Sequence, residues 1–279
     1  MPSAVIHPDP LPHGIANVIM RRVEQSSGEH AGHGLRIDIS PAVRPTDDHA
    51  TDKRWGEMLA ANPRLYSGPL LAVVSIDFEE GVIHTRRDEF KRLAVQPQVK
   101  TGVQILSVTG VLTARDAHGN EHVLLGRRGR GTRIYGGMWE LGPSGGLTPP
   151  AALTTTLDER DARRQVLEEA EEELGLHLGL QLGLHLDNSP APTPARGVAL
   201  YVRDTIACSD DLVIPLRHEE AGSLERLDAA LKQQRATHAW EYEETQWVQI
   251  GELAQFDAHH AHEIIITSRA VFRGLGWVK

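Results

Sequence analysis

Apolar and polar positions along this chain change spacing repeatedly, and each change marks an element. Ile15 to Val23 and Leu35 to Ile39 read as strands, with the His- and Gly-rich stretch Glu29 to Gly34 turning between them. Asp47 to Ala61 has helical spacing and ends before Pro63. Leu70 to Asp77 with Val82 to Thr85 reads as a strand pair, and Arg86 to Leu93 as a short helix. Val103 to Ala114 and His122 to Gly126 alternate around Asp116-Ala117-His118-Gly119-Asn120, a hairpin signal. A longer helix follows, with a capping box at Thr156 and Glu159, an apolar face of Ala162, Val166, Leu167, Ala170 and Leu174, and Gly175 as terminator. Leu180 to Leu186 and Gly197 to Ala207 are strand-like, separated by a Pro-rich loop over Ser189 to Pro194. Leu224 to Gln234 reads as an amphipathic helix, Thr245 to Ile250 as a strand and Ala261 to Phe272 as a closing helix.

Strands and helices mixed with hairpin connections predict an α+β fold, or an α/β/α sandwich on a mixed sheet. A boundary is expected near Gln98, giving a smaller N-terminal α/β subdomain, 1–97, and a second unit, 98–279. The first fifteen residues read as a loose arm.

The long helix carries the most chemistry. Glu168, Glu169, Glu171, Glu172 and Glu173 crowd its last turns, and Glu169, Glu172 and Glu173 share the flank of the apolar face. Glu168 and Glu171 point further toward solvent, and Arg164 is placed to pair with Glu168. A solvated acidic face and a site for a hard divalent cation both account for this spacing. Clustered like charges cost helix stability unless neutralised, and Mg²⁺ takes oxygen ligands from carboxylates and phosphates.

A glycine-rich segment, Tyr135 to Leu147, leads toward this helix and contains Trp139-Glu140-Leu141 and Gly145-Gly146. Here the chain resembles the Nudix hydrolases, whose signature is a Gly-Gly turn followed by a helix reading Arg-Glu-aliphatic-x-Glu-Glu-x-Gly-aliphatic. Gly146 matches the opening glycine, Glu169 the first helix glutamate, Ala170 the small apolar position, Glu172 and Glu173 the paired glutamates, and Gly175-Leu176 the ending. Two departures stand out. Glu168 replaces the signature arginine, and Leu147 to about Thr156 is an insertion between the glycines and the helix. Arg54 to Leu59, Asn62 to Tyr66, the insertion and Glu243 to Val248 are similar to one subgroup of the family. That subgroup includes a vertebrate protein that hydrolyses UDP-glucose and UDP-galactose and also lacks the arginine.

The resemblance implies a Nudix-type sandwich and a hydrolase that cleaves the diphosphate of a nucleoside diphosphate sugar, releasing a nucleoside monophosphate and a sugar 1-phosphate. Glu169, Glu172 and Glu173 are the expected metal ligands and catalytic carboxylates, with Mg²⁺ or Mn²⁺ as cofactor. Two alternatives stay open: ADP-ribose or dinucleotide hydrolysis through the same helix, and a non-catalytic nucleotide-sugar binder, motivated by Glu168.

Composition narrows the partners. A net charge of −9 argues against a nucleic-acid binder, and the expected partner is a small nucleoside diphosphate derivative. No apolar stretch is long enough to span a bilayer, and the single Cys208 suits a reducing, cytoplasmic setting. Within this acidic chain, Arg127, Arg128, Arg130 and Arg133 form a basic island before the glycines. Arg127 and Arg128, with Gly145 and Gly146, are the expected substrate-binding residues, since guanidinium forks match phosphate oxygens. His259, His260 and His262 lack zinc-ligand spacing and read as a helix start, Trp139 reads as core, and Glu243 as a surface carboxylate.

Overall fold

A computed structural model of the chain describes residues 18–22, 35–42, 48–78, 80–96, 98–151, 153–178, 200–238 and 241–279. The expected N-terminal arm, the turn at 29–34, the strand at 180–186 and the Pro-rich loop at 189–194 lie outside them.

The strands are β1 (Val18–Arg22), β2 (Arg36–Ser40), β3 (Pro69–Asp77), β4 (Val82–Glu89), β5 (Ile105–Arg115), β6 (Glu121–Arg128), β7 (Trp139–Leu141), β8 (Ser144–Gly146), β9 (Thr156–Asp158), β10 (Leu200–Asp204), β11 (Ser209–His218) and β12 (Tyr242–Gln249). The helices are α1 (His49–Ala61), α2 (Phe90–Ala94), α3 (Glu159–Leu174), α4 (Ser223–His238), α5 (Leu253–His259) and α6 (Ile266–Gly274). All the strands join one sheet, whose main path runs β1-β10-β11-β5-β3-β4-β2-β9. β6 branches from β5 to meet β7 and β12, and β8 lies against β5. The β11–β5 and β2–β4 pairs are parallel and the rest antiparallel, so the sheet is mixed.

β5 organises the molecule because its alternation is used on both faces. Leu106, Val108, Leu112 and Ala114 join Ala162, Val166, Ala170 and Leu174 of α3 and Leu227 and Leu231 of α4 in one core. Val111 belongs to a second core on the opposite face, with Val202, Val213, Ala270, Val271 and Phe272, where α6 packs on β10 and β7. Helices on both faces of a mixed sheet give the expected α+β sandwich. The segment before Gln98 shares this sheet through β3, at Ala72 opposite Ile105, and through β2, which pairs with β9. No helix among the described residues is long and apolar enough to cross a membrane.

Several elements differ from expectation. Asp158, and not Thr156, caps α3: its carboxylate accepts from the amides of Arg160 and Asp161, and Asp161 accepts from the Asp158 amide. Thr156 belongs to β9, opposite Asp38. Arg86 to Glu89 extend β4 instead of forming a helix, since β3 supplies partners as far as Pro69 opposite Glu89. β11 had no counterpart among the expected elements, because Asp210, Asp211 and Pro215 obscure a run that the parallel partner β5 stabilises. The closing helix α6 starts at Ile266 and not Ala261, since Ile264 bridges to Trp139, and an additional helix, α5, precedes it, so that His259 ends a helix instead of starting one.

Candidate active site

The glycine-rich segment folds into β7 and β8, and the tight turn before them uses Gly137 at φ 78°. β8 runs along β5 with Gly145 opposite Val108, directly above α3. The approach leaves no room for a side chain: a Cβ on Gly145 would lie 2.2 Å from the Glu169 carboxylate. Glu169 is half-buried here and accepts a hydrogen bond from the Gln165 amide at 2.8 Å. Burial pushes its carboxyl up to about 7, and the charges of Glu172 and Glu241 add to that.

The three helix glutamates part company in their environments. Glu173 is buried, accepting from the Ser144 amide at 3.0 Å and the Tyr242 hydroxyl at 3.1 Å. Burial, reinforced by Glu241 and Glu140, raises its carboxyl well above the usual range. Glu172 is exposed and lies within electrostatic reach of Glu169 and Glu241. Glu171 is exposed and 3.2 Å from His177. Arg164 is closest to Asp161, at 2.7 Å, and reaches Glu168 only at 3.8 Å.

Three further residues complete the cluster. Glu140 of β7 is buried, and Arg128 of β6 meets it at 2.5 Å. Burial raises the Glu140 carboxyl, against the pull of Arg128. Glu241, half-buried just before β12, is also raised by burial. Tyr242 slots between Gly126 and Gly142, where an added Cβ would come within 2.4 Å and 2.3 Å of its side chain. Sequence reasoning missed Glu140, Glu241 and Tyr242. Gly126 and Gly142, which make room for Tyr242, are far from it in sequence, so no local pattern connects them.

Beside this cluster, Arg128, Glu140, Ser144, Gly145, Gly146 and Glu241 line the edge of a cavity of about 430 Å³. Arg127 does not line it. Its guanidinium donates to the Gly137 carbonyl, faces Glu244 and Glu263, and stacks 5.8 Å from the Trp139 ring. Arg133 does line the cavity, while Arg130 is exposed beside Glu243. Trp139 is core, packed edge-on against Phe256. Of the histidines, His259 contacts the Gln255 carbonyl and His260 stacks on Phe256.

The donor set can be weighed for a metal. Among the described residues no three His, Cys, Asp or Glu side chains form a ready-made metal site. The chemistry nonetheless suits a hard cation: Glu140, Glu169, Glu172, Glu173 and Glu241 interact electrostatically with one another and offer only oxygen, with Arg128 the guanidinium among them. A second cation would relieve the charge that Arg128 leaves uncompensated.

No protein-family model matches the sequence. No curated protein matches it either. Among solved structures, the chain is similar to a Nudix hydrolase from M. smegmatis, RenU, at 15% identity and a TM-score of 0.33, over 62% of this chain and 83% of that one. It is also similar to DR0079 from Deinococcus radiodurans, at 15% identity and a TM-score of 0.39, over 74% of this chain and 98% of the other. Likeness at this level identifies neither family nor activity, and the functional reading rests on the site's own residues.

Proposed function

We propose that this protein is a divalent-metal-dependent pyrophosphatase of the Nudix type, acting on a nucleoside diphosphate sugar. The observation that carries the reading is the closeness of β8 to α3 at Gly145 and Glu169. It sets the Glu169 carboxylate directly behind Gly145, which lines the same cavity as Arg128.

Glu169 and Glu172, with Glu241, are the residues that would hold Mg²⁺ or Mn²⁺. Glu173, committed to the Ser144 amide and the Tyr242 hydroxyl, fixes β8 against α3 more than it faces a ligand. A bound cation would neutralise diphosphate charge and make a coordinated water more acidic. Arg128, oriented by Glu140, presents a cation to the same cavity edge and stabilises negative charge on phosphate oxygens. A carboxylate of the cluster not engaged by the cation would accept the proton of the attacking water. The products are a nucleoside monophosphate and a sugar 1-phosphate.

A second reading, a nucleotide-sugar binder without catalysis, is favoured by the burial of Glu173 and by Glu168 in the arginine position. One screen separates the two. Phosphate release is measured for nucleotide sugars, ADP-ribose and dinucleotides after product dephosphorylation, with and without Mg²⁺. Metal-dependent release from a nucleotide sugar supports the enzyme. Tight binding with no release in any divalent metal supports the binder, and preferred release from ADP-ribose would replace the substrate assignment.

A further inference from the structure

The cavity beside the acidic cluster is lined by two kinds of group, guanidinium cations and hydroxyls bonded to carboxylates. Its lining includes two cations, Arg128 and, at an exposed position, Arg133. Arg133 donates to the Ala207 carbonyl at 3.2 Å and has no ion pair among the described residues. β5 and β11 turn Thr109, Ser209 and Asp211 onto the same sheet face. The Asp211 carboxylate accepts from Ser209 at 2.8 Å and Thr109 at 3.4 Å. Asp204, also on the lining, accepts from the Ile206 and Ala207 amides and from Tyr135.

We infer that this cavity is the half-site for the glycosyl phosphate, with Arg133 contacting the phosphate next to the sugar and Asp211 with Ser209 contacting the sugar hydroxyls. The inference rests on the pyrophosphatase reading and adds which half of the substrate enters the cavity. The argument is one of donors and acceptors. A carboxylate accepts about four hydrogen bonds, and among the described residues Asp211 receives two, with no cation bonded to it. The remaining capacity opens on the cavity. An anion there would be repelled, whereas a group rich in hydroxyl donors would be held. A hexose 1-phosphate carries four free hydroxyl donors, whereas the nucleoside half offers the uracil N–H and two ribose hydroxyls on a larger body. Burial also pushes the Asp211 carboxyl up to about 7, so near neutral pH it can donate to a hydroxyl oxygen as well as accept. The volume of about 430 Å³ lies within the range of small-ligand sites.

The test uses the two products as separate probes. Binding of glucose 1-phosphate and of UMP is measured by calorimetry on the full chain, for the wild type and for Arg133→Met, Asp211→Leu and Ser209→Ala. Circular dichroism melts report folding, and Ser209→Ala, the mildest change, keeps the test readable if Asp211→Leu unfolds. The expected result is a loss of about tenfold or more in glucose 1-phosphate affinity for Arg133→Met and Asp211→Leu, with UMP unchanged. Loss of UMP affinity with glucose 1-phosphate retained would place the nucleoside in the cavity and overturn the inference alone. A folded wild type that cleaves no diphosphate in the substrate screen would instead overturn the pyrophosphatase reading, and the inference with it.

Discussion

Gly145→Ala probes the contact on which the site depends. The new Cβ would lie 2.2 Å from Cδ and Oε1 of Glu169 and 2.5 Å from Oε2, where ordinary contact begins at 3.4 Å. The carboxylate, the far end of a flexible side chain, must therefore retreat by 3.4 − 2.2 = 1.2 Å. Moving that far endangers the Gln165 bond, worth about 0.5–1.5 kcal/mol, while replacing glycine recovers about 0.4–1 kcal/mol of chain entropy. The two nearly cancel, so the melting temperature should move by no more than about 4 °C. Activity should respond very differently, since displacing a catalytic group by an ångström costs about a hundredfold. The assay is kcat/KM on UDP-glucose with Mg²⁺, alongside a thermal melt. Gly251→Ala, where a Cβ meets nothing within 4 Å, is the control and should leave both unchanged. Shortening the opposing side chain, in Gly145→Ala with Glu169→Asp, should restore part of the loss. Unchanged kcat/KM in Gly145→Ala would refute the claim that this contact positions Glu169 for function.

Three other outcomes follow from the same contacts. Arg128→Met strips Glu140 of its guanidinium and leaves a buried carboxylate, so denaturant unfolding should show a loss of about 3–5 kcal/mol, partly recovered by adding Glu140→Gln. Glu172→Gln should lower turnover by orders of magnitude in a Mg²⁺ assay while Glu171→Gln, beside His177 and outside the cluster, leaves it near wild type. Asp211 has a folded carboxyl near 7 against 3.8 normally, so the folded state holds its proton more tightly and this group's contribution to stability falls as pH rises from about 4 to 7. Asp211→Asn removes that dependence, and its stability relative to wild type should climb across that interval by at most about 4 kcal/mol, less whatever water in the cavity screens, as read from urea midpoints at several pH values.

How much of this was legible in the sequence depends on the range of the interactions. The α3 helix, its apolar face and its Gly175 terminator were readable because their signals lie within a few turns, and Gly175 does adopt the left-handed conformation at φ 66°. The Thr156 cap was misplaced by two positions because Asp158 and Asp161 form an equivalent box and β2 claims Thr156. β11 was invisible because its pattern is that of a strand buried between neighbours, which shows no alternation, and because its parallel partner lies about a hundred residues upstream. At the site, spacing placed Glu169, Glu172 and Glu173 on one flank but could not tell that Ser144 and Tyr242 draw Glu173 inward. Arg127 and Arg128 are adjacent on a strand and therefore face opposite ways, so only Arg128 lines the cavity. The insertion over Leu147 to Thr156 is held by Arg87, which donates to the carbonyls of Pro150, Ala151 and Thr154, a long-range tie that no local pattern announces.

The most direct measurement is product identification after incubating the protein with UDP-glucose and Mg²⁺, by anion-exchange chromatography with authentic standards. The account predicts UMP and glucose 1-phosphate in equal amounts, no free UDP, and no reaction when the metal is chelated. UDP and glucose as products, or the same cleavage in the presence of a chelator, would contradict it.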